Sequence, residues 1–485
     1  MTKRFASVLL LAAALLLAAP SALVAQSAPP SPAPTTFGDM GREAAAALRE
    51  RWYAGKGAWH RCLPAGHCGT ASRDWGAYSL TEALFLYWLT TGDASVTPVF
   101  QEIADVNPGY GPCRGGCREW SDVPLWDARA ALDAYIVTRD RGALAKAVED
   151  YTSVTSSDLY ARGRCPEIDY QRPNGETGLK TLETDANRIL VGVLLFRNTH
   201  DRRYLADARA HYDAVRAHFF DRAAHLYTVY VFDDGKTCRS VPHRFFASVN
   251  AAMVDAGRML ADATMDDRYG RDAQQTETAI EQNLNDARGV FADLQAENDI
   301  VSPLISMMWV RAIADAHARA WIVRNAEAAI GARTSDGSYG RFFDGPPPGG
   351  EVTMWETNGG LALAIAAAAL EPATPVVAGA WRAPRTASVH LGVGSTYRFV
   401  GSGVAFTGTL GARPGHAQIL IDGRPTVDQT GIWQGLNYVP PFDTVLFAWR
   451  WPRAGVHVIR FVTTETNAKE GPPFVDVRRA NVLLP

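Results

Sequence analysis

Between Gly41 and Leu370 one alternation is repeated six times: a helical segment studded with charge, then a helical segment apolar nearly all round. The charged members fall near residues 43–52, 96–106, 142–154, 204–219, 271–285 and 316–330; the apolar members fall near 80–89, 122–137, 184–196, 248–263, 300–314 and 358–370. A segment such as Tyr204-Leu-Ala-Asp-Ala-Arg-Ala-His-Tyr-Asp has one wet face and belongs outside. A segment such as Leu361-Ala-Leu-Ala-Ile-Ala-Ala-Ala-Ala-Leu has none, and belongs inside. Six outer and six inner helices in strict alternation predict an all-α (α/α)6 toroid.

The connections alternate as well. Those from inner to outer helix are short, as in Thr90-Thr-Gly-Asp93 and Thr199-His-Asp-Arg202. Those from outer to inner helix are long, spanning 53–78, 108–121, 156–183, 221–247, 289–299 and 331–357, and in a toroid all of them open on one face. After residue 370 a Pro-containing linker leads to alternating apolar and polar residues with turn signals, among them Gln418-Ile-Leu-Ile-Asp-Gly423 and Val456-His-Val-Ile-Arg-Phe-Val462. This predicts a small all-β sandwich over 381–485, following the helical body at 39–370 and a linker at 371–380.

The first residues read as an export signal: Lys3 and Arg4, an apolar run from Val8 to Ala19, and small residues to Ala25. That run is short for a membrane span, so residues 1–25 are expected to be cleaved and 26–38 to be a linker, releasing a secreted or periplasmic, monomeric protein. Six cysteines in an exported chain argue for disulfides. Fifteen pairings exist; spacing favours Cys62 with Cys68 and Cys113 with Cys117, leaving Cys165 for Cys238. No paired CxxC or histidine spacing calls for a metal, and no phosphate loop or dinucleotide glycine pattern calls for a cofactor. A formal charge of −3 gives no electrostatic case for nucleic acid.

The long-loop face would collect the N-termini of the inner helices, where carboxylates are favoured. Acidic clusters stand there: Trp120-Ser-Asp122, Leu182-Glu-Thr-Asp185, Ala296-Glu-Asn-Asp299 and Trp355-Glu-Thr-Asn358. Each is also an ordinary N-cap sequence. Cleavage of a glycosidic bond needs two carboxyl groups facing each other, one protonated and one ionised, and a ring of carboxylates around an apolar mouth can supply them. Asp122, Glu183 and Asp185 are the first candidates, with Glu297 and Asp299 next. Trp120, Trp126, Tyr339 and Trp355 are candidate sugar platforms, and Arg244, Asn250, Glu356 and Asn358 candidate hydroxyl ligands, with His243 beside them. Asp233-Asp234-Gly235 reads more simply as a hairpin turn.

The segment Trp120-Ser-Asp-Val-Pro-Leu-Trp-Asp-Ala-Arg-Ala-Ala-Leu-Asp-Ala-Tyr135 resembles the stretch in which glycoside hydrolase family 76, the endo-acting α-1,6-mannanases among the six-hairpin glycosidases, places an adjacent Asp-Asp catalytic pair ahead of an inner helix. Ser121 stands where the first of those aspartates is expected. The resemblance spans roughly residues 40–370 and implies a hydrolase of polysaccharide or cell-surface glycan. Ile421-Asp-Gly423 and Gly455-Val-His-Val-Ile459 resemble the galactose-binding-like sandwiches appended to many glycosidases. Two other readings remain: a polysaccharide lyase using Tyr339, His243, Arg244 and Asn250, and a glycan-binding protein without turnover.

Overall fold

The computed structural model describes residues 34–73, 75–107, 120–242, 244–292, 300–377, 379–382, 384–410, 416–426, 432–433, 441–463 and 475–484. All twelve expected helices are present among them. The outer set is α1 (Phe37–Ala47), α3 (Thr97–Val106), α5 (Arg141–Thr155), α7 (Arg202–Phe219), α9 (Asp267–Asn283) and α11 (Ala316–Ala329). The inner set is α2 (Trp75–Thr91), α4 (Val123–Thr138), α6 (Leu182–Thr199), α8 (Ala247–Thr264), α10 (Ser302–Ala312) and α12 (Met354–Leu370). Packing among the inner helices closes on itself: α2 lies on α4, α4 on α6, α6 on α8, α8 on α10, α10 on α12, and α12 on α2. The outer helices lie against them, α1 on α12 and α3 on α4 for instance.

One local device makes the short connections. A residue in the left-handed region ends the inner helix and an aspartate immediately caps the next one, as in Arg139-Asp140, His200-Asp201 and Met265-Asp266. Each aspartate accepts the backbone N–H two residues on, satisfying a donor the helix start leaves orphaned. Two residues therefore reverse the chain. The long connections carry short antiparallel strands instead. Leu179–Thr181 pairs with Tyr230–Asp233, which pairs with Cys238–Ser240. Asp233-Asp234-Gly235 is the turn of that last hairpin: the Asp234 carboxylate accepts from Lys236 and Thr237. Disulfides join Cys62 to Cys68 and Cys165 to Cys238; Cys113 and Cys117 lie outside the described residues.

The C-terminal region is a sheet of antiparallel pairs: β1 (Arg385–Leu391), β2 (Thr396–Leu410), β3 (His416–Ile421), β4 (Arg424–Pro425), β5 (Phe442–Val462) and β6 (Val477–Leu483). Their order is β1-β6-β2-β5-β3-β4, and Ile432–Trp433 also pairs with β3. This is the β-rich region expected. The sheet is seated on the helical body. Phe447 meets Phe342 at 6.3 Å, Arg450 donates to Asp344 at 2.7 Å, and Thr444 donates to Glu356 at 2.6 Å. No helix of the described residues is long and apolar enough to cross a membrane.

Close helix approach depends on small residues. A Cβ added to Gly41 on α1 would stand 2.3 Å from the Cβ of Ala368 on α12, a rigid neighbour that cannot swing away. Gly41→Ala is expected to destabilise the fold by about 1–3 kcal/mol despite the better helix propensity of alanine, read as a lowered denaturant midpoint.

Candidate active site

On α4 the residues Asp122, Trp126, Arg129 and Asp133 recur at spacings of four, three and four, one stripe of a helix. Tyr78 and Glu82 form the matching stripe on α2, and Glu183 and Asn187 on α6. Arg129 joins all three. Its guanidinium donates to the Asn187 side-chain oxygen at 3.0 Å, lies 3.9 Å from Glu82, and sits over the rings of Tyr78 and Trp126 at 4.8 and 5.1 Å. Asn187 in turn donates to the backbone oxygen of Glu183, and the Tyr78 hydroxyl donates to Glu82. Asp255 on α8 and Asp133 lie close enough to feel the same charges; burial pushes Asp255 up to about 7 and Asp133 well above the carboxylate range. These groups form a buried floor tying α2, α4, α6 and α8 together.

Asp122 and Glu183 stand above that floor at the starts of α4 and α6. Asp122 is 7 % exposed, and burial pushes its carboxyl up to about 6 against opposing hydrogen bonds that favour the ionised form. Glu183 is partly exposed and approached by the Thr181 hydroxyl. Both carboxylates act electrostatically on the Tyr230 hydroxyl, which is hydrogen-bonded to Gln171. Burial first, then Glu183, raises the Tyr230 pKa, keeping the phenol protonated and able to donate. The Arg244 guanidinium lies 5.4 Å over the Tyr230 ring, and at the rim Arg172 lies 4.8 Å over Trp120, which is 40 % exposed. Ser121 is wholly buried: its hydroxyl donates to the Tyr170 carbonyl and meets the Thr184 hydroxyl, and its N–H donates to the Gln171 carbonyl. It fastens the loop that carries Gln171 to the starts of α4 and α6.

Several expected site residues have other work. Asp185 follows Glu183 by two positions, about 200° around a helix, so it faces away from the Glu183 side and toward α7, where it meets His211. The rim carboxylate expected there is Glu183 alone. Glu356 closes a capping box with Thr353 and receives Thr444 from the sheet, so it is a structural brace rather than a sugar ligand. Asn250 clamps the backbone of Tyr227 and Phe246, and Asn358 holds the N–H groups of Val301 and Ser302 at the start of α10. Tyr339 and Trp355 are buried core, not platforms: Tyr339 is seated against Gly360 and Trp355 against Gly76. Trp126 is equally buried, beneath the site in the floor. Glu297, Asp299 and His243 lie outside the described residues. Reading for acidic N-terminal clusters overlooked Tyr230, Gln171, Glu82 and Arg129. The available signal for the last two was a charge inside an otherwise apolar inner helix.

No protein-family model matches the sequence, and no curated protein matches it. Solved structures do. An inactive α-1,6-mannanase variant from Salegentibacter sp. HEL1_6, with two consecutive aspartates replaced and α-1,6-mannotetrose bound, aligns with 69 % of this chain and 99 % of its own at a TM-score of 0.59 and 17 % identity. A family 76 mannosidase from Bacteroides thetaiotaomicron VPI-5482 covers 69 % of this chain and 98 % of its own at 0.56 and 14 % identity. Dfg5 from Chaetomium thermophilum, in complex with glucosamine, covers 71 % of this chain and 92 % of its own at 0.54 and 16 % identity. The helical body shares their fold.

The raised Asp122 pKa has a stability consequence of definite sign. From about pH 4 the unfolded carboxyl loses its proton while the folded one holds it to about 6, so folding stability falls as pH rises across that window. Two pH units correspond to about 3 kcal/mol. Asp122→Asn is expected to gain that much relative to wild type between pH 4 and 7, measured by chemical denaturation at both.

Proposed function

We propose that the helical body is an (α/α)6 toroid working as a glycoside hydrolase, exported by its N-terminal segment, with an α-mannan or related cell-surface glycan as substrate. The observation that carries the reading is Asp122, kept protonated to about pH 6 by burial at the start of α4, with Glu183 at the start of the adjacent α6 and both carboxylates acting on the Tyr230 hydroxyl. Asp122 is suited to protonate the departing glycosidic oxygen. Glu183, better solvated, is suited to remain ionised as nucleophile or as base toward water. Tyr230, Gln171 and Arg244 offer donors for sugar hydroxyls, and Trp120 offers an exposed ring at the rim. The fold shared with mannanases and a mannosidase supports the substrate class.

Ser121 favours a second reading, glycan binding without turnover. It occupies the place that the sequence resemblance assigns to an aspartate, and its hydroxyl is committed to holding the loop. A lyase is less well served, since Tyr339 and Asn250 are already engaged within the core.

Incubation with α-1,6-mannan and other glycans separates these readings. New reducing ends without an unsaturated, ultraviolet-absorbing terminus are expected from wild type. Asp122→Asn and Glu183→Gln are each expected to lower the rate by about 10²–10⁴-fold while retaining glycan binding. Full activity in either variant overturns the assignment; binding by wild type with no reducing ends establishes the second reading.

A further inference from the structure

Behind the site, on the side of α6 opposite Glu183, three residues from three elements converge inside the protein. Asp169 comes from the long connection before α6, Asp185 from the first turn of α6, and His211 from α7; they are 1 %, 0 % and 5 % exposed. One carboxylate oxygen from each aspartate and one imidazole nitrogen lie within 4.8 Å of one another. Their contacts leave carboxylate lone pairs unused. Asp185 Oδ1 accepts from the Asp169 N–H at 3.1 Å and faces His211 Nε2 at 2.7 Å, and Asp169 Oδ2 accepts from Arg188 at 2.8 Å. The other oxygen of each carboxylate, Asp185 Oδ2 and Asp169 Oδ1, is buried without any hydrogen-bond partner. Two buried carboxylate oxygens in one cluster without a protein donor are costly unless something cationic reaches them.

The protein's own cations are already spent. Arg188 is shared with a third carboxylate, Asp207, through two further bonds at 3.1 and 2.8 Å. Lys180 donates to the carbonyls of Arg162 and Ile168 and stands 4.0 Å from Asp233. With a neutral imidazole, Asp169, Asp185, Asp207 and Asp233 face only Arg188 and Lys180, four negative charges against two positive, and a divalent ion would balance them. We propose that Asp169, Asp185 and His211 form a structural site for a divalent transition metal, Zn²⁺ by preference. One imidazole nitrogen with two carboxylate oxygens suits zinc or manganese, whereas calcium takes oxygen ligands. Arg188 would serve as the outer partner that orients Asp169. Bound there, the ion would pin the connection that presents Tyr170 and Gln171 to the turn of α6 that carries Glu183. The site does not depend on the glycosidase reading, since it makes no claim on the reaction.

The test uses the full exported chain with its disulfides oxidised, so that no thiol competes for metal. Elemental analysis is expected to find one zinc per chain. Removal with a chelator is expected to lower Tm by several degrees, with recovery on adding Zn²⁺ or Mn²⁺ but not Ca²⁺. Asp169→Asn and His211→Gln, with one neutral substitution each, are expected to weaken Zn²⁺ binding by at least about tenfold in a competition titration. Substoichiometric zinc in wild type, together with a Tm indifferent to chelator and added Zn²⁺, overturns the proposal and assigns His211 to an ion pair with Asp185. Zinc bound equally well by wild type and both variants overturns it too, because the ion then lies elsewhere.

Discussion

The charge on which the helical body turns is that of Arg129. Inner helices buried all round leave no room for an unmatched polar group, yet α2, α4, α6 and α8 all carry carboxylates or amides on the sides that face one another. A single guanidinium, flat and permanently charged, reconciles them by binding an amide on one helix, approaching a carboxylate on a second and covering two aromatic rings. Asp122 and Glu183 thus begin two helices that are bonded to each other beneath them, two turns below Asp122. Hydrophobic burial brings the helices together; the guanidinium decides how they are registered.

Layered on this floor, the side chains that flank the two rim carboxylates come from connections rather than from helices. Tyr230 and Gln171 both arise in long segments between an outer and an inner helix, and the buried hydroxyl of Ser121 ties one of them to the helix starts. Where a second aspartate would add charge, this chain has a bond that stiffens the wall. The partner proposed for Asp122 lies one helix further round, at Glu183, and both act electrostatically on Tyr230.

How much of this was legible in the residues follows from what each kind of signal encodes. Helix period and polarity are local, and they located all twelve helices to within six positions, with the largest departures at both ends of α1 and at the starts of α2, α9 and α12. Acidic residues at helix starts were legible too, but their direction was not: Glu183 and Asp185 look alike in a string and differ only in which side of the helix they occupy. Asn250 and Asn358 similarly read as free polar groups, since nothing near them in sequence announces the backbone carbonyls and N–H groups they hold. Tyr230 escaped notice because it reaches the site from a short strand some fifty residues beyond Glu183. Contacts that cross the fold leave no period to read.

The seating of the sheet on the helical body has a further meaning. Glu356 is buried, and burial raises its pKa while the Thr444 hydroxyl, contributed across the junction, favours its charged form. Asp344 likewise accepts from Arg450 across the junction, as well as from Arg288 of the helical body. The C-terminal region acts for these carboxylates as solvent would, supplying the dipoles and charge that water provides to an exposed acid. Cutting the chain at the linker would therefore do more than shorten it. The severed body would leave Glu356 to Thr353 alone and Asp344 to Arg288 alone, on a freshly uncovered apolar face, so modularity visible along the polypeptide stops short of the hydration of its parts.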